Sequence, residues 1–248
     1  MSSYLGANVF VTGASRGIGL GLVRHLLNAP DVQHIFAGAR TPDSAKDLQE
    51  LAKQNPKVQI VEFDSLNDQT IKAAVKTVEE KVGSEGLSLL INNAGVFFDG
   101  NNSQDPDREA ASKVFNTNVV GIMVACPAFL PLLKKASTED RPSRILNISS
   151  TAGSIEKLNG QGFPHSNASY PASKAALNAY TKFFATSDYS KGVVTVSMCP
   201  GWVRTDMGGE RASLSVDESC EAILKTLSEL KQSDSGRFMD RNGQTIPY

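Results

Sequence analysis

The chain has 248 residues, of which 40% are hydrophobic and 21% charged, the ordinary composition of a globular protein. Its 25 Lys and Arg residues balance 26 Asp and Glu residues, and a net charge of −1 argues against a general affinity for nucleic acid or an anionic membrane. The longest apolar run, Val119 to Leu133, contains Pro127 and Pro131 and falls short of the roughly 20 residues that span a bilayer, so we expect no membrane partner.

Predicted strands and helices alternate along the chain. The strands are Asn8–Val11, His34–Ala39, Val58–Phe63, Leu87–Ile91, Arg144–Ser149 and Val193–Met198, and we expect a seventh at Arg237–Met239. The helices are Gly17–Asn28, one opening at Thr41–Pro42, Gln69–Val82, a long one after the polar loop Asn101–Asp107 that bends near Pro127, Ser173–Thr186 and Asp217–Leu230. This alternation predicts a single α/β domain, residues 1–248, with a doubly wound (Rossmann) parallel sheet of about seven strands and helices on both faces.

A glycine-rich turn connects the first strand and helix, where residues 12–19 read TGASRGIG. Gly13 permits a sharp turn with positive φ, Gly17 lets the backbone approach a phosphate, and Gly19 lets the helix pack close to the sheet. The N-terminus of the helix then offers free N–H groups to a pyrophosphate. Because methyltransferases use a similar turn, the motif does not fix the cofactor.

The end of the second strand discriminates between cofactors. NAD-binding proteins place an acid about 20 residues after the turn to hold the ribose hydroxyls, and a methyltransferase also needs an acid here. This chain carries Arg40 instead, and a guanidinium matches a 2′-phosphate. With Arg16 of the glycine turn as a second clamp, the sequence predicts NADP(H) as the cofactor.

Polar residues follow several strands and should meet at one edge of the sheet. Tyr170 and Lys174 are four residues apart and share a face if helical. Ser150 follows the fifth strand, and Asn118 lies on the preceding helix. These residue types suit carbonyl reduction: Tyr170 acts as a general acid whose pKa the Lys174 ammonium and the oxidised nicotinamide lower, and Ser150 donates to the carbonyl oxygen.

These ordered motifs resemble the short-chain dehydrogenase/reductase family over nearly the whole chain. LLINNAGV at 89–96, LPLLKK at 130–135, PGWVRTDMGG at 200–209 and GRF at 236–238 are similar to the sniffer-type carbonyl reductases in particular. The resemblance implies a catalytic tetrad of Asn118, Ser150, Tyr170 and Lys174, with Asn118 holding a water that feeds protons to Lys174. It also implies cofactor contacts from Gly13, Ser15, Arg16, Gly17, Ile18, Gly19, Arg40, Asp64, Asn93, Ala94, Gly95, Asn118, Tyr170, Lys174, Pro200, Gly201, Val203 and Thr205.

The segment Thr151–Ser169 between the proposed serine and tyrosine has 19 residues, more than most family members have. Its glycines Gly160 and Gly162 and its apolar tip predict an active-site loop that sets substrate choice more than chemistry. We interpret His165 as a loop histidine rather than a base. The residues Phe97, Phe98, Trp202 and Met207 either line an apolar pocket or belong to the core.

The sequence predicts NADPH-dependent reduction of a small-molecule ketone, aldehyde or quinone. One alternative is an NAD(P)-binding regulatory or scaffold protein, which the intact tetrad disfavours. The other is an alcohol or steroid dehydrogenase, against which the missing acid after the second strand argues. A homodimer follows if the apolar face of the long helix pairs with a second subunit, although residues 151–169 are an alternative cover.

Three cysteines, Cys126, Cys199 and Cys220, lie far apart without a CxxC motif or a Cys/His cluster. Such a scattered, odd set favours reduced thiols and neither a disulfide framework nor a zinc site. The chain also runs from Met1 almost directly into the first predicted strand, without the basic region of a signal peptide. We therefore predict a cytoplasmic protein without a metal.

Overall fold

A computed structural model describes residues 4–98, 105–158 and 167–248. The strands are β1 (Asn8–Thr12), β2 (His34–Ala39), β3 (Val58–Glu62), β4 (Leu89–Asn92), β5 (Arg144–Ile148), β6 (Val194–Cys199) and β7 (Phe238–Asp240). The helices are α1 (Gly17–Leu26), α2 (Lys46–Gln54), α3 (Asp68–Val82), α4 (Arg108–Phe115), α5 (Gly121–Ala136), α6 (Ser169–Ala185) and α7 (Val216–Glu229).

The strands form one parallel sheet in the order β3-β2-β1-β4-β5-β6-β7. Val9 of β1 pairs with Ile35 of β2 on one side and with Leu89 of β4 on the other. The chain therefore winds outward in both directions from β1 and β4, and ligands of such sheets bind beyond the strand ends at this switch point. The predicted doubly wound fold is confirmed.

Each face of the sheet has its own apolar core, as strands buried on both faces require. Val9 and Val11 pack with side chains of α1, α2 and α7 on one face. Phe10 points to the opposite face, where side chains of α3, α5 and α6 surround it. Its ring centroid lies 4.8 Å from that of Phe129 and 5.5 Å from that of Phe63. Helices on both faces therefore hold the strand ends in fixed relative positions.

Two predicted helix starts are displaced in the structure. The Thr41–Pro42 signal opens a single 3₁₀ turn, Pro42–Ser44, and α2 begins only at Lys46. Helix α6 begins at Ser169, earlier than the predicted Ser173, because Pro171 lies in the first turn, where its missing N–H costs no hydrogen bond. This earlier start places Tyr170 inside the helix.

The long helix after the polar loop is predicted to bend near Pro127, but its irregularity lies closer to its N-terminus. The structure keeps Pro127 and Pro131 inside α5, whereas a π-helical turn, Asn116–Val120, separates α4 from α5. Such turns insert an extra residue and are frequent at functional sites. The prediction of a bend near Pro127 is therefore replaced by a π turn that contains Asn118.

In the part of the chain that the structure describes, one helical stretch, Arg108–Ala136, is long and apolar enough to cross a membrane by length and composition. Half of its most apolar window is buried. Ala125, Phe129 and Leu133 on its inner face pack in the core against the sheet, which accounts for much of this apolar composition.

Candidate active site

The glycine turn after β1 has the backbone shape that the sequence predicts. Gly13 and Gly17 have φ values of 64° and 56°, in the left-handed region that favours glycine. A Cβ atom on Gly19 would collide with the carbonyl oxygen of Gly13. Arg16 precedes α1 in an extended conformation and its side chain does not cap the helix. The first N–H groups of α1 therefore lie next to the glycine turn and are not capped by the Arg16 side chain, which suits a bound diphosphate.

The end of β4 holds this turn in place. Thr12 Oγ1 accepts hydrogen bonds of 2.9 Å from the backbone N–H groups of both Asn93 and Ala94. The Asn93 side-chain amide donates to the carbonyl oxygens of Thr12 and Gly13, at 3.0 and 3.2 Å. The Asn93 amide, which the resemblance implies is a cofactor contact, thus bonds to the protein backbone and fixes β1 to β4 across the switch point.

A cleft of about 340 Å³ lies between the glycine turn and the segment after β2. It is lined by Ser15, Arg16, Arg40, Thr41, Ser44, Ala45, Lys46 and Asp47. Three of these side chains are cationic and one is acidic, and three carry hydroxyl groups, so the lining suits a phosphate monoester. The sequence analysis did not identify Lys46, the first residue of α2, although a basic residue soon after Arg40 was a signal available for it.

Arg16 has a second neighbour that the sequence does not predict. Its Nη1 atom lies 3.1 Å from a carboxylate oxygen of Asp206, in the segment after β6, and both side chains are largely exposed. A Cβ atom on Gly17 would lie 3.3 Å from Thr205 Cγ2, so this segment touches the glycine turn. Because exposed ion pairs are weak, Arg16 is free to exchange Asp206 for a phosphate in the cleft.

Three of the four predicted catalytic side chains meet where β5 ends against α6. Lys174 is buried, and its Nζ atom donates a 2.8 Å hydrogen bond to the carbonyl oxygen of Ile148. The same ammonium lies 5.6 Å from the centroid of the Tyr170 ring. The Ser150 hydroxyl lies on the same side of the site and interacts with the Tyr170 phenol, whose pKa it lowers. An oxygen atom placed beside Ser150 and Tyr170 would thus have two hydroxyl donors.

Asn118 connects the segment after β4 to α6 through hydrogen bonds of its side chain. Its Oδ1 atom accepts from the Val96 N–H at 2.8 Å, and its Nδ2 atom donates to the Val96 carbonyl at 3.0 Å and to Ser173 Oγ at 3.2 Å. The side chain thereby ties the segment after β4 to α6. A Cβ atom on Gly95 would lie 3.4 Å from Asn118 Oδ1 and 3.8 Å from Lys174 Nζ, so these two side chains converge there.

Burial dominates the ionisation of the pair on α6. It raises the pKa of Tyr170 to about 12, with the Ser150 hydrogen bond lowering that pKa only in part. Burial lowers the pKa of Lys174 to about 8. Without the cofactor, the pKa of Tyr170 is therefore raised by burial and not lowered as expected. At neutral pH the phenol holds its proton and the ammonium holds its charge.

Aromatic side chains border the Tyr170 ring and the nearby surface. Phe97 meets that ring edge-on, with 5.3 Å between centroids. Trp202 and Met207 are 56% and 49% exposed, so the core alternative for these two is wrong. Phe97 therefore is the aromatic side chain best placed to contact a group held at Ser150 and Tyr170.

The segment after Ser150 is described as far as Leu158, whereas Gly160, Gly162 and His165 lie outside the described residues. It opens with a 3₁₀ turn, Thr151–Gly153. Its Ser154 hydroxyl donates a 2.6 Å hydrogen bond to the Pro247 carbonyl, and the Glu156 N–H donates to the Tyr248 carbonyl at 3.1 Å. The base of the predicted loop is therefore anchored to the last strand's side of the sheet.

The other predicted cofactor residues lie on the segments after β3 and β6. Asp64 Oδ1 accepts from the Leu66 N–H at 3.0 Å, and Thr205 Oγ1 bonds the Gly208 N–H at 3.1 Å. Pro200, Gly201 and Val203 follow directly on β6. Throughout residues 4–98, 105–158 and 167–248, no group of three or more His, Cys, Asp or Glu side chains is arranged to hold a metal ion.

Comparisons with known proteins show which family and which structures the chain is similar to. The family described as short chain dehydrogenase matches residues 7–215. The structure of an NADPH-bound carbonyl reductase from chicken fatty liver is 40% identical, with a TM-score of 0.93, over 99% of this chain and 100% of that one. Carbonyl reductase Sniffer of D. melanogaster is 36% identical, with a TM-score of 0.92, over 98% and 100%. An uncharacterized oxidoreductase of Schizosaccharomyces pombe is 32% identical over 96% of this chain and 97% of its own length.

The lowered pKa of Lys174 is directly measurable. Because burial disfavours the ammonium, Lys174 should be charged below about pH 8 and neutral above it, whereas exposed lysines titrate near 10.5. The titration is followed by NMR of protein labelled at the lysine Cε, and loss of the signal in Lys174→Arg assigns the resonance. A Lys174 signal that titrates with the exposed lysines would show that the ammonium is solvated, contrary to the structure.

Proposed function

The chain belongs to the short chain dehydrogenase family, and from that premise we propose that it reduces the carbonyl group of a small molecule with NADPH as the hydride donor. The observation that carries this proposal is that Ser150, Tyr170 and Lys174 meet at the carboxyl edge of the sheet. The cationic cleft lined by Arg16, Arg40 and Lys46 lies at the same edge, beside the glycine turn. The likeness to a carbonyl reductase that binds NADPH supports the same chemistry.

The cleft fits the 2′-phosphate of the cofactor. Arg40, Arg16 and Lys46 would hold that phosphate, and the N–H groups of the glycine turn would hold the diphosphate. NADPH, when bound, supplies the hydride that adds to the carbonyl carbon. The protein's task is then to hold the carbonyl and to deliver a proton to its oxygen.

The side chains at the sheet edge are suited to that task. Ser150 and Tyr170 both donate to the carbonyl oxygen, where negative charge develops in the transition state. The Tyr170 phenol transfers its proton to this oxygen, so the product is an alcohol and the tyrosine is left as a phenolate. The Lys174 ammonium, 5.6 Å from the ring centroid, stabilises that phenolate. Because its pKa lies well above neutral pH, Tyr170 carries the proton that the carbonyl oxygen takes up.

We also propose that the chain acts as one domain in the cytoplasm and forms a homodimer. Three buried, free cysteines suit a reducing compartment. Val120, Met123 and Phe183 expose large apolar side chains on the outer surface of the π turn, α5 and α6. A second copy of the chain would cover them.

Replacing Arg40 tests the cofactor preference. Arg40→Asp removes a charge-assisted contact worth roughly 1.5–3 kcal/mol, so the Kd for NADPH should rise about ten- to hundredfold, while binding of NADH should not weaken. Fluorescence titration measures both constants. Arg24→Asp makes the same charge change on an exposed helix position outside the cleft and serves as the control. Equal affinity of the unsubstituted protein for both cofactors would refute the preference.

Replacing Tyr170 tests the acid. Tyr170→Phe removes the proton donor and keeps the ring, so kcat should fall by about 10²–10⁴-fold, the usual contribution of general acid catalysis. The Kd for NADPH should stay within about twofold, because the cationic cleft is untouched. Tyr189→Phe, at a largely exposed tyrosine, should leave kcat unchanged. Near-normal turnover of Tyr170→Phe would assign the proton to another group.

A further inference from the structure

We propose that Asn178 is a positioning residue for this reaction, which holds the turn carrying Ser150 at a fixed place against the helix carrying Tyr170 and Lys174. The inference rests on the proposed function, because it concerns the same site. Asn178 lies one helical turn beyond Lys174 and is buried.

The Asn178 side chain bonds to both sides of Ser150 along the chain. Ser149 Oγ donates a 2.6 Å hydrogen bond to Asn178 Oδ1, and Asn178 Nδ2 donates to the Gly153 carbonyl at 3.2 Å. Ser149 and Asn178 are only 2% and 1% exposed, so water does not compete for these bonds. The Asn178 amide therefore connects Ser149 with Gly153, four residues later, and so spans the segment that carries Ser150.

The turn also packs directly on the backbone of α6. A Cβ atom on Gly153 would lie 2.7 Å from the carbonyl carbon of Lys174 and 2.9 Å from both Lys174 Cβ and Asn178 Nδ2. Nothing larger than glycine fits between the turn and the helix. On the other side of Ser150, Lys174 Nζ bonds the Ile148 carbonyl. Ser150 is thus held at both ends by residues of α6.

These contacts separate the roles of the two serines. The Ser149 hydroxyl donates to Asn178, whereas the half-buried Ser150 hydroxyl accepts from the Ala152 N–H at 3.1 Å and remains available to a group beside Tyr170. The distance between the two donors of the site therefore depends on how the turn sits on α6. A displacement of about 1 Å in such a pair costs on the order of 10²-fold in rate.

The bridge needs an amide in particular. It must accept from a hydroxyl and donate to a carbonyl at the same time, which an amide does with two different atoms. An ionised carboxylate of the same shape accepts from Ser149 but repels the Gly153 carbonyl. A protonated carboxyl group can again do both. Asn178→Asp is therefore a substitution whose effect should depend on pH.

The test compares kcat, KM and cofactor affinity of Asn178→Asp with those of the unsubstituted protein. With NADPH and a panel of aromatic aldehydes, ketones and quinones, kcat should fall by about ten- to hundredfold at pH 8. The Kd for NADPH should stay within about twofold, because Asn178 does not line the cationic cleft. The ratio of the variant's kcat to the unsubstituted kcat should rise as the pH falls, since protonation of the buried carboxyl restores the donor.

A second variant and a control separate the positioning role from a general loss of stability. Ser149→Ala removes only one of the two hydrogen bonds, so it should give a smaller loss of kcat. Its kcat relative to that of the unsubstituted protein should not rise at low pH. This variant replaces Asn178→Asp in the test if Asn178→Asp does not fold. Thr181→Val removes a buried 2.9 Å hydrogen bond to Asn147 one turn further along α6, away from Ser150. It should lower the thermal unfolding midpoint, because a buried hydrogen bond is lost, but leave kcat unchanged, because the contacts of Asn178 with Ser149 and Gly153 stay in place.

Three results would overturn the positioning role. They are an unchanged kcat in folded Asn178→Asp and Ser149→Ala, a kcat ratio for Asn178→Asp that does not vary with pH, and an equal loss of kcat in Thr181→Val. If the unsubstituted protein binds NADPH but reduces no member of the carbonyl panel, the proposed function fails and the inference fails with it. Turnover by the unsubstituted protein separates that outcome from a failure of the positioning role alone.

Discussion

Parallel pairing of the seven strands is the constraint on which the rest of the structure depends. It brings the carboxyl ends of β1, β4, β5 and β6 to one edge, and the reversal of winding between β1 and β4 opens the crevice there. The glycine turn, the cationic cleft and the Tyr170 helix belong to distant parts of the sequence. They become neighbours only because the strands that precede them end side by side.

Within that frame, buried side-chain hydrogen bonds set the distances that chemistry requires. Asn93 fixes the glycine turn to β4, Asn118 fixes the segment after β4 to α6, and Asn178 fixes the end of β5 to α6. The Asn118 and Asn178 amides each donate and accept, whereas the Asn93 amide donates to two carbonyl oxygens, so each joins two segments of the chain without an ionised group. The charge of Lys174 is the exception, and its burial accounts for its lowered pKa.

Much of this arrangement can be predicted from the sequence, because the glycine spacing, the β-branched runs and the interval between Tyr170 and Lys174 depend on local geometry. The doubly wound fold and the nearness of Arg40 to Arg16 of the glycine turn follow from such signals. Three features do not. The π turn at Asn116–Val120 leaves no mark on the apolar periodicity, the Arg16–Asp206 pair joins residues far apart in sequence, and the tyrosine pKa depends on burial. Each arises only from the packed tertiary structure.

The fate of the hydride tests the account most directly. The protein is incubated with an aromatic aldehyde and NADPH that carries deuterium on one or the other face of nicotinamide C4, and the alcohol is analysed by mass spectrometry. The account predicts that one labelled form, and not the other, delivers one deuterium to the carbinol carbon for each NADPH consumed. NADPH that binds tightly while the aldehyde is recovered unchanged would contradict it and would indicate a regulatory dinucleotide-binding protein.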